Sequence, residues 1–134
     1  MNRMEDIKKI LKIEEKDYRQ GMAGKYANYK VMQKLNDAGL LDMNYARKNG
    51  PTMKDVYDFM ERNKKKDIKA RLAVIDPRRD DFRIFAEVIS VNVKYAKLET
   101  EEDFEFWREF TAFGQCGDAC MTENDEWVSW CWYN

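Results

Sequence analysis

The sequence predicts an α+β fold in which three N-terminal helices are followed by a β-hairpin, one further helix and a C-terminal strand, an ααα-ββαβ order built on a small antiparallel or mixed sheet. Three observations carry this expectation. Up to Asn63, apolar side chains recur at intervals of three and four, the spacing of one helix face. After Lys64 they recur at every second residue, the spacing of a half-buried strand. Finally, a capped helical run from Thr100 precedes a closing stretch that is almost entirely aromatic or β-branched.

In chain order, Met4, Ile7, Ile10, Leu11 and Tyr18 form one apolar stripe among Glu and Lys and predict the first helix. Gly21 and Gly24 interrupt it. A second helical run puts Ala27, Val31, Leu35 and Ala38 on a shared face, and Gly39 supplies the left-handed stop, after which Leu40 and Leu41 re-enter the core. Asn49, Gly50 and Pro51 mark a turn. Thr52 with Asp55 is a capping-box pair opening a third helix whose Met53, Val56, Tyr57 and Met60 face inward.

The hairpin follows. Ile68, Ala70, Leu72 and Val74 alternate with Lys69, Arg71 and Ala73, residues 76–81 make the turn, and residues 82–95 return. On the return strand the apolar parity changes between Val88 and Ile89, which predicts a bulge there or burial on both faces. Thr100 and Asp103 form a second capping box, and Phe104, Trp107, Phe110 and Phe113 are expected to pack on the sheet until Gly114 stops the helix. A loop with Cys116, Gly117 and Cys120 leads to the last strand, residues 126–133.

At 134 residues, with 44% hydrophobic and 13% aromatic side chains, the chain can bury about two-thirds of its surface around one core. A single domain over residues 1–134 is expected, with a helical subdomain at 1–63 and a sheet-plus-helix subdomain at 64–134. No run approaches the ~18 apolar residues of a membrane span, and charge fills the first 20 residues where a signal peptide would be apolar. The expected location is cytoplasmic, with no membrane partner. There is no histidine, so the commonest general base and the commonest metal ligand are both missing.

Charge is divided along the chain. Residues 1–98 hold 23 of the 24 Lys and Arg against 15 of the 25 Asp and Glu, a net of +8, whereas residues 99–134 hold one against ten, a net of -9. Such a division suits one end to phosphates or acidic surfaces and the other to basic grooves. On the acidic side Glu101, Glu102, Glu105 and Glu109 fall away from the aromatic stripe of their helix, and Asp125 and Glu126 adjoin Trp130 and Trp132 on the terminal strand. Aromatic anchors within an acidic rim suit a protein-binding surface.

On the basic side Arg62, Lys64, Lys65, Lys66, Lys69 and Arg71 lie where helix hands over to strand, with Arg78 and Arg79 at the far hairpin end. Clusters of this kind track a phosphate backbone. The helix, helix and hairpin order resembles a winged helix with residues 52–63 in the recognition position, which implies DNA binding. That stretch, however, carries Asp55, Asp58 and Glu61 against Lys54 and Arg62, an unfavourable charge for DNA.

Chemistry is constrained by absence. Gly-rich phosphate loops, a Gly-x-Ser-x-Gly elbow and His-Glu-x-x-His are all missing. Asp76, Asp80, Asp81 and Glu87 are the one acidic set that suits Mg²⁺-dependent nuclease chemistry. Cys116, Cys120 and Cys131, even with Asp118, lack the spacing and the fourth thiol or imidazole of a structural zinc site, so neither metal nor cofactor is expected.

The leading expectation is a non-enzymatic protein-binding module that blocks a nucleic-acid-handling protein through its acidic, aromatic C-terminal surface, as a phage or mobile-element antagonist of host defence would. The alternative is a nucleic-acid-binding regulator using the basic set. The third is a metal-dependent nuclease.

Overall fold

A computed structural model describes residues 9–10, 25–46, 50–75, 83–115, 117 and 119–132. Among these, the first regular element after a helical pair at Lys9 and Ile10 is a strand, β1 (Lys25–Ala27), followed by helices α1 (Tyr29–Asp37) and α2 (Met53–Arg62). The hairpin strands are β2 (Ile68–Ile75) and β3 (Arg83–Asn92). A 3-10 turn (Val93–Lys97) leads to α3 (Glu101–Thr111), a second 3-10 turn (Ala112–Gln115) extends it, and strands β4 (Cys120–Glu123) and β5 (Trp127–Cys131) close the described chain. All strand pairs are antiparallel, and the five run in the order β1-β2-β3-β5-β4.

The expected ααα-ββαβ order is therefore corrected. The helices are not all N-terminal to the sheet, because a strand precedes α1 and α2, and the sheet has five strands where three were expected. Ala27, expected on a helix face, is instead fully buried in β1 opposite Ala70, and the extended Asn28 (φ -82°, ψ -179°) caps α1 by accepting from the Val31 N–H. Strand β4 lies where a loop is expected; all four of its residues are exposed, so no alternation of buried and exposed side chains marks it. Most of the first expected helix, residues 1–20, lies outside the described residues, as does the 76–81 turn.

Local signals elsewhere correspond to structure. The Thr52 hydroxyl accepts from the Asp55 N–H and the Asp55 carboxylate from the Thr52 N–H, and Gly39 sits at φ +71° after α1. On α2, Met53, Val56, Tyr57, Phe59 and Met60 are all buried. The register of β2 and β3 slips between Arg71, opposite Val88, and Leu72, opposite Ala86. Glu87 is thus the extra residue, one position before the expected bulge, and β3 ends at Asn92 where the alternation gives way to a 3-10 turn.

One face of the sheet, with Ile68, Ala70, Leu72, Ile84, Ala86, Ile89, Val91 and Val128, shares a single apolar cluster with Met32 and Leu35 of α1, Phe59 of α2, and Phe106 and Phe110 of α3. This cluster runs across the Lys64–Lys66 seam without a break. The opposite face is buried too: Ala73, Phe85, Val88, Ser90, Ser129 and Cys131 are all nearly inaccessible, and the Ser90 and Ser129 hydroxyls satisfy each other at 2.6 Å.

Candidate functional site

The acidic helix α3 is fixed at its N-terminus by its own local sequence. The Thr100 hydroxyl accepts from the Asp103 N–H at 3.1 Å, while the Asp103 carboxylate accepts from the N–H groups of Thr100 (3.0 Å) and Glu99 (3.1 Å). These bonds, that to the Thr100 backbone foremost, hold the Asp103 carboxyl below its ordinary value. Glu101, Glu102 and Asp103 place negative charge in the first turn, where the helix dipole favours it.

On the inner side Phe106, Phe110 and the following Phe113 surround Phe59 at ring separations of 5.5, 6.3 and 5.3 Å. Phe104, expected to pack with them, does not. Its side chain is 51% exposed, and helical spacing puts Glu101 and Arg108 on its side of α3 with Glu105 next to them, whereas the exposed Glu102, four residues before Phe106, lies nearer the inner side. None of those three glutamates forms an ion pair with a described residue. Trp107 is half-buried against Phe110.

The rest of the expected acidic and aromatic surface is not assembled as the sequence suggested. Glu109 turns toward α2 and forms an ion pair with Arg62, whose Nε lies 2.6 Å from its carboxylate. Asp125 and Glu126 form the exposed tip of the β4–β5 hairpin, with the Asn124 side chain accepting from the N–H groups of Glu126 and Trp127. Trp130 is half-buried and donates its indole N–H to the Phe110 carbonyl at 3.0 Å. Trp132 is 4% exposed, packed edge-on against Phe113. Phe104 is the exposed aromatic beside the acids, and sequence reasoning placed it in the core.

The basic set is likewise dispersed. Arg62 is engaged by Glu109. Arg71 lies 2.9 Å from the buried Glu87, yet neither Arg71 Nε nor Glu87 Oε1 makes a well-directed hydrogen bond, so the contact is a charge pair and not a bidentate clasp. Lys69 projects from the sheet between the rings of Tyr26 (4.2 Å) and Trp127 (4.0 Å), and Lys66 lies over Phe106 and Tyr95. Lys64 and Lys65 remain exposed, and Arg78 and Arg79 lie outside the described residues. On α2, the helix compared with a recognition helix, Lys54 is bound to Asp58.

For the nuclease alternative, Asp76, Asp80 and Asp81 lie outside the described residues, and Glu87 is committed to Arg71. Of the cysteines, Cys116 lies outside, whereas Cys120 and Cys131 are free thiols directly opposed across β4 and β5. Among the described residues no three His, Cys, Asp or Glu side chains converge as metal ligands.

A cavity of about 480 Å³ opens where α1 begins and α2 ends. Asn28, Tyr29, Lys30 and Gln33 form one wall, and Lys64, Lys66 and Asp67 the other, with Met60 and Ile68 at the bottom. The Tyr29 hydroxyl donates to Glu61 at 3.3 Å. Hydrogen bonding to Tyr57, with burial and the Glu61 charge behind it, pushes its pKa up to about 12. Sequence reasoning singled out Lys64 and Lys66 but missed the α1 residues, since only the packing of two helices brings them together. Comparison with protein-family models, curated proteins and solved structures finds no match for this chain.

Proposed function

We propose that this chain is a non-enzymatic protein-binding module whose contact surface is the outer side of α3. The observation that supports this reading is Phe104, half exposed on α3 on the side of Glu101 and Glu105, neither of which has an ion-pair partner among the described residues. An apolar ring is the kind of group that anchors an interface once desolvated, and the carboxylates around it select a basic partner and speed its approach. The occupant is the positively charged groove of a nucleic-acid-handling protein, in the cytoplasm, and the module acts by keeping nucleic acid out of it. A small blocker without chemistry of its own suits a phage or mobile-element antagonist of host defence. No helix among the described residues is long and apolar enough to cross a membrane.

The test compares the native chain with Phe104→Ala and with a Glu101→Lys/Glu105→Lys double variant in affinity capture from the source cell, followed by a nucleic-acid retention assay on the captured protein. The expected result is a basic, nucleic-acid-binding partner lost by both variants, whose retention of nucleic acid the native chain inhibits. Capture that neither variant weakens, or a partner still able to hold nucleic acid when saturated, refutes the reading.

A further inference from the structure

We propose that the cavity between α1 and α2 binds a nucleoside phosphate, with the phosphate at the ammonium groups of Lys30 and Lys64 and the base against the Tyr29 ring. This site is separate from the acidic side of α3 and does not rest on the protein-binding reading.

Volume is the first argument. About 480 Å³ lies within the ~300–1,000 Å³ of pockets that enclose organic ligands and far exceeds what a bare inorganic anion fills. Charge is the second. Three lysines and one aspartate line the cavity, but the Lys66 ammonium is occupied over the Tyr95 and Phe106 rings, and the Asp67 carboxylate accepts from Asn92 at 3.1 Å. Lys30 and Lys64 are left as exposed cations with no ion-pair partner among the described residues. The first turn of α1 holds no acid to compete with a phosphate, unlike those of α2 and α3.

The third argument is the character of the wall. A nucleobase presents a flat apolar face and an edge of mixed donors and acceptors. Tyr29 supplies a ring, while Met60 and Ile68 supply an apolar floor. At the edge, the Asn28 carbonyl accepts from the Val31 N–H while its amide NH₂ has no partner among the described residues, and the exposed Gln33 carboxamide has none among them either. Cations beside an aromatic wall and free carboxamides match a nucleoside phosphate better than they match a peptide acid, which offers nothing to stack.

Free nucleotides and strand ends share this chemistry, so calorimetry with AMP and with a short oligothymidylate distinguishes them, with inorganic pyrophosphate and an acidic peptide as comparators. Saturable binding of AMP, of the oligonucleotide or of both is expected, falling at least about tenfold in Lys30→Glu/Lys64→Glu and unchanged in Lys97→Glu, a reversal at an exposed lysine outside the cavity. AMP alone assigns the site to free nucleotides, and the oligonucleotide alone assigns it to strands. Circular dichroism confirms that the variants fold. Absence of binding by both nucleic-acid probes overturns the proposal. So does equal weakening by the Lys97 variant, pyrophosphate binding as tight as AMP, or binding of the acidic peptide in their place.

Discussion

Replacing Gly114 by alanine tests how tightly the second 3-10 turn is pressed against β5. A Cβ at this position would stand 2.5 and 2.6 Å from two carbons of the Trp130 ring and 3.1 Å from a third. Ordinary carbon contacts lie near ~3.5–4.0 Å, so the indole must retreat by about 1 Å. The ring is held in place by its N–H, which donates to the Phe110 carbonyl at 3.0 Å, and by the Phe110 ring, tilted at 44° to it with centroids 6.3 Å apart. Overpacking of this kind costs about 1–3 kcal/mol, and loss of the indole hydrogen bond about 0.5–1.5 kcal/mol. Alanine's lower entropy in the unfolded chain returns about 0.4–1 kcal/mol.

The net expectation for Gly114→Ala is a loss of about 2 kcal/mol, or roughly 6–10 °C in Tm for a chain of this size. Urea and thermal unfolding followed by indole fluorescence measure it. The Trp130→Phe change removes the atoms that collide, so adding it to Gly114→Ala should recover part of the loss, a coupling that a double-mutant cycle isolates. An alanine variant as stable as the native chain, or a cycle with no coupling, would refute the contact on which the estimate rests.

Other outcomes follow from the same geometry. Glu101→Lys with Glu105→Lys should cost about 1 kcal/mol or less in total, since both side chains are exposed and only the first-turn dipole term is lost; a denaturation curve showing wholesale unfolding would contradict their placement. Thr100→Ala should cost about 0.5–2 kcal/mol through the lost cap. The depressed Asp103 pKa means that its contribution is present above the unfolded carboxyl value of about 3.9 and vanishes as pH falls through the folded value. Asp103→Asn should flatten that acid limb in a pH series of melts. At the alkaline end Tyr29 keeps its proton to about 12, so its contribution is complete below the unfolded value near 10 and is lost as pH rises through the folded one. Ultraviolet titration should show a late-ionising tyrosine that disappears in Tyr29→Phe.

What the sequence disclosed was local. Both capping boxes, the Gly39 stop and the alternation of β2 depend on residues within a few positions of one another. The position of Phe104 is legible in helix geometry, since at about 100° per residue Phe106 and Phe110 fall about 40° apart while Phe104 lies about 160° from Phe106. Spacing by threes, from Phe104 through Trp107 to Phe110, drifts around the helix and cannot keep one face. Strands β1 and β4 were hidden for another reason: three- and four-residue strands at sheet edges lack the length for alternation to emerge, and β4 is exposed throughout. Nor does any local pattern announce that Glu109 meets Arg62, or that Lys30 and Lys64 share a cavity. Those are consequences of helix packing over separations of more than thirty residues.

The interior position of β5 has a consequence for how the chain is made. Strands β1, β2 and β3 can pair in the order of synthesis, but β3 then presents Val88, Ile89 and Val91 along an unfinished edge until Trp127–Cys131 arrives to cover it. In any partly folded chain that has paired β1, β2 and β3 but not yet docked β5, that edge is an adhesive template for neighbouring chains. The acids of α3 lie between β3 and β5 in the sequence, so their charge is tethered next to the open edge of such a chain. The negative end of the molecule would in this way serve its own solubility first, as a repulsive guard over the half-built sheet. A chain terminated before Trp127 should accumulate in inclusion bodies, and one carrying Lys at Glu101, Glu102 and Glu105 should yield less soluble protein than its melting temperature alone would forecast.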